Sequence, residues 1–168
     1  MDIAIEKVRL EEKSILGNLL KMYCYEWSQY NGLDVDDQGI YEYEHHLSNY
    51  WIKEKYYPFF VRVDGVLAGF VLIDTDFDIH FNYDYAMSEF FIMYKYRRAG
   101  IGRYVARNIF DMFHGNWELK RHPQNGVAVK FWDSVIDEYT GGNYEIINAC
   151  KNVVYQDGTC ADILSFAN

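Results

Sequence analysis

The sequence predicts a mixed α/β fold of the α+β kind, in a single domain spanning residues 1–168, and three features lead to that expectation. Two β-rich runs, PFFVRV and VLAGFVLIDT, flank Asp64-Gly65, a dipeptide suited to the two positive φ angles of a tight hairpin turn. A third apolar run, SEFFIMY at 88–94, is followed by two glycines and then by Ile101, Val105, Ile109 and Met112 at helical spacing. A second amphipathic stretch, with Ala128, Phe131, Trp132, Val135 and Tyr139 on one face, lies between short strand-like segments. Strands and helices interleaved in this way make a sheet covered by helices.

The elements follow in order. Ile3 to Leu10 alternates apolar and polar residues, as a half-buried strand does. From Ser14, the residues Ile15, Leu16, Leu19, Leu20, Tyr23 and Trp27 share one helical face. A loop carrying Asp34, Asp36 and Asp37 leads to a short helical segment ending near Trp51, and then to the hairpin. The run at 88–94 is apolar almost throughout, which predicts a strand buried on both faces. After the helix from Ile101 come a short strand around Trp117 to Lys120 and the second amphipathic helix. The tail reads as two or three strands with a turn at Asp157-Gly158. The expected order is βααββ-β-α-β-α-ββ.

Composition excludes some functions. With 25 acidic against 16 basic residues, the chain is a poor partner for a phosphate backbone, so nucleic acid is not expected. The same charge mildly favours a cationic or amine-bearing partner. Sixteen tyrosines, eleven phenylalanines and four tryptophans fill cores, can line a cleft and leave room for a homodimer. Cys24, Cys150 and Cys160 have no CxxC spacing and read as free thiols of a reducing compartment. A basic start followed by an apolar block is missing, and no run approaches membrane-spanning length. The expectation is a cytoplasmic protein with no membrane partner.

One stretch breaks the acidic pattern. YKYRRAGIGR, at 94–103, sits where an apolar strand meets a helix. Lys95, Arg97, Arg98, Arg103 and Arg107 lie within 90–110, where there is no acidic residue. A helix N-terminus offers unpaired N–H groups and partial positive charge, and glycine lets an anion approach the backbone. A di- or polyphosphate is the ligand that such a site suits. The stretch is not a P-loop, because no GK[ST] follows, nor a dinucleotide fingerprint, because Val105 stands at the third glycine position.

The pattern that fits is RxxGxG, formed by Arg97, Gly100 and Gly102 directly after an apolar strand. In this it resembles the GNAT acetyltransferase superfamily, whose pyrophosphate loop is written [QR]-x-x-G-x-[GA]. Downstream, PQNGVAVKFWDSVI resembles that family's second cofactor-contacting helix, N-x-x-A-x-x-[FL]-[YW], with Asn125, Ala128, Phe131 and Trp132 at those positions. The strand and helix order agrees over nearly the whole chain.

The resemblance implies a mixed sheet of about six to seven strands, splayed at its central strand and flanked by about four helices. It implies acetyl-CoA as cofactor and an amine-bearing small molecule or peptide as acceptor. Backbone groups of Ile92, Met93 and Tyr94 would pair with pantetheine, and the N–H groups of Arg98, Ala99, Gly100, Ile101, Gly102 and Arg103 would cradle the pyrophosphate. Arg97 belongs to the same loop, and Asn125, Ala128 and Phe131 would lie along the far side of the pantetheine arm. The N–H of Met93 is a candidate for stabilising the acyl oxygen. Glu89, on the central strand, is the expected general base, with Asp84 and His80 as weaker candidates.

The chain departs from the family at the acid. Trp132 stands where many members carry a tyrosine, and an indole has no usable acid function. Tyr139, Tyr144 or solvent are the alternatives, and a non-catalytic acyl-CoA-binding domain is the rival reading. Asp74, Asp76 and Asp78 alternate as in a calcium loop, but Ile79 and Tyr85 stand where glycine and a bidentate glutamate are needed. Asp34, Asp36 and Asp37 fall in the region expected to form the acceptor wall.

Overall fold

A computed structural model describes residues 1–43, 47–79 and 82–168. β1 (Ile3–Lys7) leads through one 3-10 turn into α1 (Lys13–Asn31), which stops where Gly32 turns left-handed, with φ 69°. After the short α2 (Asn49–Ile52) come β2 (Tyr57–Val63) and β3 (Val66–Asp74), joined by Asp64 at φ 49° and Gly65 at φ 78°. β4 (Tyr85–Ile92), α3 (Ile101–Met112), β5 (Asn116–Arg121), α4 (Gly126–Thr140), β6 (Glu145–Val154) and β7 (Cys160–Ala167) follow. The order agrees with the expectation, and the tail holds two strands. β1 is shorter than expected: its ladder with β2 ends at Lys7, and only the Val8 N–H continues it, to the Pro58 carbonyl at 2.9 Å.

All seven strands form one sheet, ordered β1-β2-β3-β4-β5-β7-β6. Among the described residues only the β4–β5 pair is parallel. One face is buried beneath α1, where Leu16, Leu19 and Leu20 meet Phe60, Phe70, Leu72 and Phe91. The other lies beneath α3 and α4, where Val105, Ile109, Trp132 and Ile136 meet Val61, Val71, Ile73 and Trp117. Each fully buried side chain of this size contributes about 1.5–3 kcal/mol.

Two features of β4 position the site. It pairs with β5 only over Tyr85–Met87, against Trp117–Leu119, yet it runs on to Ile92. Beyond Met87 the two strands part. At the same place β4 carries a bulge: Ile73 pairs with Met87 and Leu72 with Glu89, so Ser88 is the extra residue. A bulge bends a strand and reverses which residues face which side. Phe90 and Ile92 therefore join Met87 on the α3/α4 face, while Phe91 and Met93 pack on the α1 side. Burial on both faces holds at Phe91 and Ile92, whereas the strand ends at Ile92 and Tyr94 is exposed; the bulge that sets the register does not show in the apolar run.

Candidate active site

The strand-to-helix junction is built from backbone. β4 ends at Ile92, a 3-10 turn covers Tyr94–Tyr96, and the chain then reaches Arg98 at φ 63° and Gly100 at φ 78°. Left-handed residues in a turn gather successive N–H groups on a concave face that suits anions. Gly100 caps α3 without any side-chain hydrogen bond, and the first ladder bond runs from the Tyr104 N–H to the Gly100 carbonyl at 3.0 Å. The N–H groups of Ile101, Gly102 and Arg103 thus have no intrahelical acceptor. Space around Gly100 is open, so its role is conformational; a Cβ on Gly102 would come within 3.2 Å of the Phe131 ring, so that glycine lets α4 approach.

Most of the arginine charge is already engaged. Arg97 Nη2 donates to both carboxylate oxygens of Glu26, at 2.8 and 2.6 Å, and its Nε donates to the Ile92 carbonyl at 2.6 Å. Arg103 pairs with Glu138 and donates to Ser134 Oγ at 2.8 Å, while Arg107 meets Glu138 at 3.2 Å. Among the described residues no ion pair involves the Arg98 side chain.

The gap between β4 and β5 opens into two cavities. One, of about 710 Å³, is lined by Ile92, Tyr94, Arg97, Arg98, Gly100 and Phe131, among others. The second, of about 310 Å³, is lined by Glu42, Tyr43, Glu89, His122 and Tyr155. Tyr23, Trp27, Phe90, Asn125, Ala128 and Trp132 line both. The cavities therefore meet beside the point where β4 leaves β5.

Met93 does not offer its N–H to this gap. That N–H donates to the Ala68 carbonyl on β3 at 2.7 Å, so the expectation that it serves the acyl oxygen is corrected. Backbone groups of an antiparallel strand point alternately to either side, so those of Phe90 and Ile92 face away from β3, toward the gap. Asn125 caps α4 by accepting from the Ala128 N–H at 3.1 Å, which gives its spacing to Ala128 a structural cause. Ile101 is buried in the core, and Ala99 lies in the exposed loop.

Glu89 faces the smaller cavity. The Tyr43 hydroxyl donates to its Oε1 at 3.0 Å, and the Tyr23 phenol lies beside the same carboxylate. Burial, and after it the Glu89 charge, push both phenols well above the ordinary tyrosine value. Burial also leads the upward shift of Tyr155, with Glu89 second. Lys120 and Arg121 line the cavity too, but Lys120 pairs with Asp78 at 3.1 Å and Arg121 with Asp133 at 2.5 Å. The carboxylates of Glu42 and Glu89 thus stand among several aromatic rings of this wall.

The other sequence candidates lie elsewhere. Asp84 accepts from the Asn116 backbone N–H at 2.9 Å and pins the closed end of the β4–β5 pair. His80 lies outside the described residues. The Tyr139 hydroxyl donates to Asp111 at 2.8 Å, and neither Tyr139 nor Tyr144 lines either cavity. Asp34, Asp36 and Asp37 are exposed, and Asp36 closes its own turn by accepting from Gln38 and Ile40; Glu42 is the loop carboxylate that lines the cavity. Asp74 is buried beside Tyr50, whose hydroxyl donates to it at 2.6 Å, and no cluster suited to a metal occurs among the described residues. Tyr23 and Trp27, placed by the sequence on the apolar face of the first helix, also form cavity walls. His122 was not anticipated: it is buried against Trp27, Tyr30 and Tyr155, with Nε2 3.3 Å from Asp157.

The model of the acetyltransferase (GNAT) family matches residues 19–135. The chain belongs to this family. No curated protein sequence matches it. Several solved structures share the GNAT fold across almost the whole chain. An acetyltransferase from Thermus thermophilus superposes with a TM-score of 0.68 at 11% identity, covering 100% of this chain and 98% of its own. YncA from Salmonella typhimurium, solved with its cofactor acetyl-CoA, gives 0.66 at 12% identity, covering 98% and 93%. The spermidine N-acetyltransferase SpeG from Vibrio cholerae gives 0.64 at 13%, covering 98% and 94%. At such identity the likeness concerns the fold. The GNAT sheet of this chain has its parting strands at β4 and β5, and among the described residues no helix is long and apolar enough to cross a membrane.

Proposed function

We propose that the chain is an acetyl-CoA-dependent N-acetyltransferase acting on a primary amine of a small molecule or peptide, by direct attack of the amine on the thioester. The observation that carries this reading is the meeting of the two cavities beside Phe90 and Trp132. A donor arm in the larger cavity and an amine in the smaller one would converge there. The residues present suit the donor: the concave loop at Arg98 and Gly100 and the uncapped N–H groups of Ile101 to Arg103 suit a pyrophosphate. The outward backbone groups of Phe90 and Ile92 suit the amide-bearing arm, with Asn125, Ala128 and Phe131 along its far side.

The donor brings an already activated acyl group, so holding the amine beside it supplies much of the rate. Glu89 is the base: it lines the smaller cavity, where an amine must lose a proton to become nucleophilic. The rings and carboxylates of that cavity favour a cation, since ammonium is attracted to aromatic faces. An amine acceptor also agrees with the activity named for the Vibrio cholerae structure. We assign the protein to the cytoplasm, where acetyl-CoA is at hand and the three free thiols stay reduced.

Titration calorimetry with CoA, followed by a screen of primary amines for CoA release from acetyl-CoA, tests the reading. Binding and turnover are expected. No binding at millimolar CoA overturns it, and binding without turnover of any amine favours the non-catalytic acyl-CoA-binding alternative.

A further inference from the structure

The acetyltransferase reading leaves the acid unfilled, because Trp132 occupies the junction of the cavities and carries no acidic proton. We propose that Tyr23 is the general acid, giving its hydroxyl proton to the departing thiolate while Glu89 returns one to it. The inference rests on the acetyltransferase reading and adds to it a residue on α1.

Position selects Tyr23. Of the six described residues that line both cavities, it alone carries a hydroxyl. Tyr43 and Tyr155 line only the smaller cavity, and Tyr30 and Tyr94 only the larger. The ring is held from three sides: stacked on Trp27 at 6.2 Å and 12°, and edge-on to Phe70 and Phe91, both at 5.9 Å. Its hydroxyl lies beside the Glu89 carboxylate, whose Oε1 accepts from Tyr43. Glu89 and Tyr23 thus follow one another from the cavity suited to the amine to the cleft suited to the donor.

The proton balance closes on this pair. Glu89 first takes the ammonium proton and passes it on to solvent, and the free amine then forms the new C–N bond as the C–S bond breaks. The remaining surplus proton passes from nitrogen to Glu89, the Tyr23 hydroxyl proton passes to sulfur, and the Glu89 proton moves to the Tyr23 oxygen. Amide and free thiol leave, and both residues return to their starting states. Burial first, and then the Glu89 charge, keep Tyr23 protonated before reaction. Once Glu89 has taken a proton that charge is gone, and Tyr23 becomes the stronger acid when the thiolate needs it.

The test compares wild type with Tyr23→Phe, using the primary amine that turns over fastest and two donors: acetyl-CoA and its selenoester analogue, whose selenolate leaves without a proton at neutral pH. With acetyl-CoA, kcat is expected to fall about 10²-fold, within the range of general acid catalysis, with KM for the donor nearly unchanged. With the selenoester the deficit is expected to shrink to a few-fold. A readout apart from turnover is the ultraviolet titration of the thiol of bound CoA. Loss of a hydrogen-bond donor to sulfur is expected to raise its apparent pKa by about one unit. Equal losses with both donors, or no loss with either, together with an unmoved thiol titration, overturn the role of Tyr23 while leaving the acetyltransferase reading intact. A wild-type protein that binds no CoA overturns both.

Discussion

Arg97 and Glu26 form a two-pronged ion pair, 2.8 and 2.6 Å long, that ties the loop after β4 to α1. The same guanidinium holds the Ile92 carbonyl, so the arginine of the RxxGxG motif braces the cleft. Both side chains are about one-third exposed, at 31% and 36%, so solvent screening limits the pair to about 1 kcal/mol. Arg97→Ala and Glu26→Ala are each expected to lower Tm by about 2–4 °C, and the double variant by less than the sum. Thermal unfolding of the four proteins checks this, and strict additivity would mean that the pair is not coupled.

Gly100 occupies open space at φ 78°, where a side chain is strained whatever room it has. Gly100→Glu adds a carboxylate at the N-terminus of α3, against the proposed pyrophosphate site. Saturating acetyl-CoA, at about 100 times its Kd, is expected to stabilise the wild type by about 2.7 kcal/mol and to raise Tm by roughly 5–10 °C. The variant is expected to lose that shift, as measured by differential scanning fluorimetry.

Gly69 lies where β3 crosses the cleft-forming part of β4. A Cβ there would stand 2.0 Å from the Phe91 carbonyl oxygen and 3.1 Å from the Ile92 Cα, both of them backbone atoms. Gly69→Ala is expected to cost about 3 kcal/mol or more, or to prevent soluble expression. A denaturation midpoint close to wild type would show that β4 can yield.

Asp74 has its carboxyl pushed above the ordinary aspartate value, burial being the chief cause. A carboxyl raised in the fold binds its proton more tightly there than in the unfolded chain. Its contribution to stability therefore grows as pH falls from above the raised value toward the ordinary one. Asp74→Asn is expected to remove that slope while keeping the Tyr50 contact, so the wild-type and variant stability curves should converge at acid pH. Parallel curves from urea titrations across the acid range would contradict this.

Glu89→Gln is expected to lower kcat by about 10²-fold, chiefly at low pH where the amine needs a base, and to leave CoA binding in place. Tyr139→Phe and Tyr144→Phe are expected to keep kcat within about twofold, since neither side chain reaches a cavity. Full pH–rate profiles of the three variants decide the matter: an unchanged profile removes Glu89, and a large loss at either tyrosine places the acid elsewhere.

Much of this molecule is legible in one dimension because its causes are local. The Asp64-Gly65 turn, the left-handed Gly100 and the apolar stripes of α1, α3 and α4 are set by neighbours in the chain. Glycine spacing marked the loop for the same reason. The parting of β4 from β5 and the bulge at Ser88 depend on pairing between distant segments, which no run of residues announces. That bulge puts Phe90 and Ile92 on the α3/α4 side while Phe91 and Met93 face α1. It also leaves Glu89 beside Tyr23 and Tyr43, whose positions in the chain say nothing of the contact. Met93 was misjudged on the same ground, because which N–H groups a strand offers follows from its partner. The sequence by itself determined the elements, their order and the glycine loop before α3, since these follow from spacing and backbone preference. Tertiary structure alone decided which side chains share a cavity, since that depends on strand register and on helices closing over a sheet from both sides.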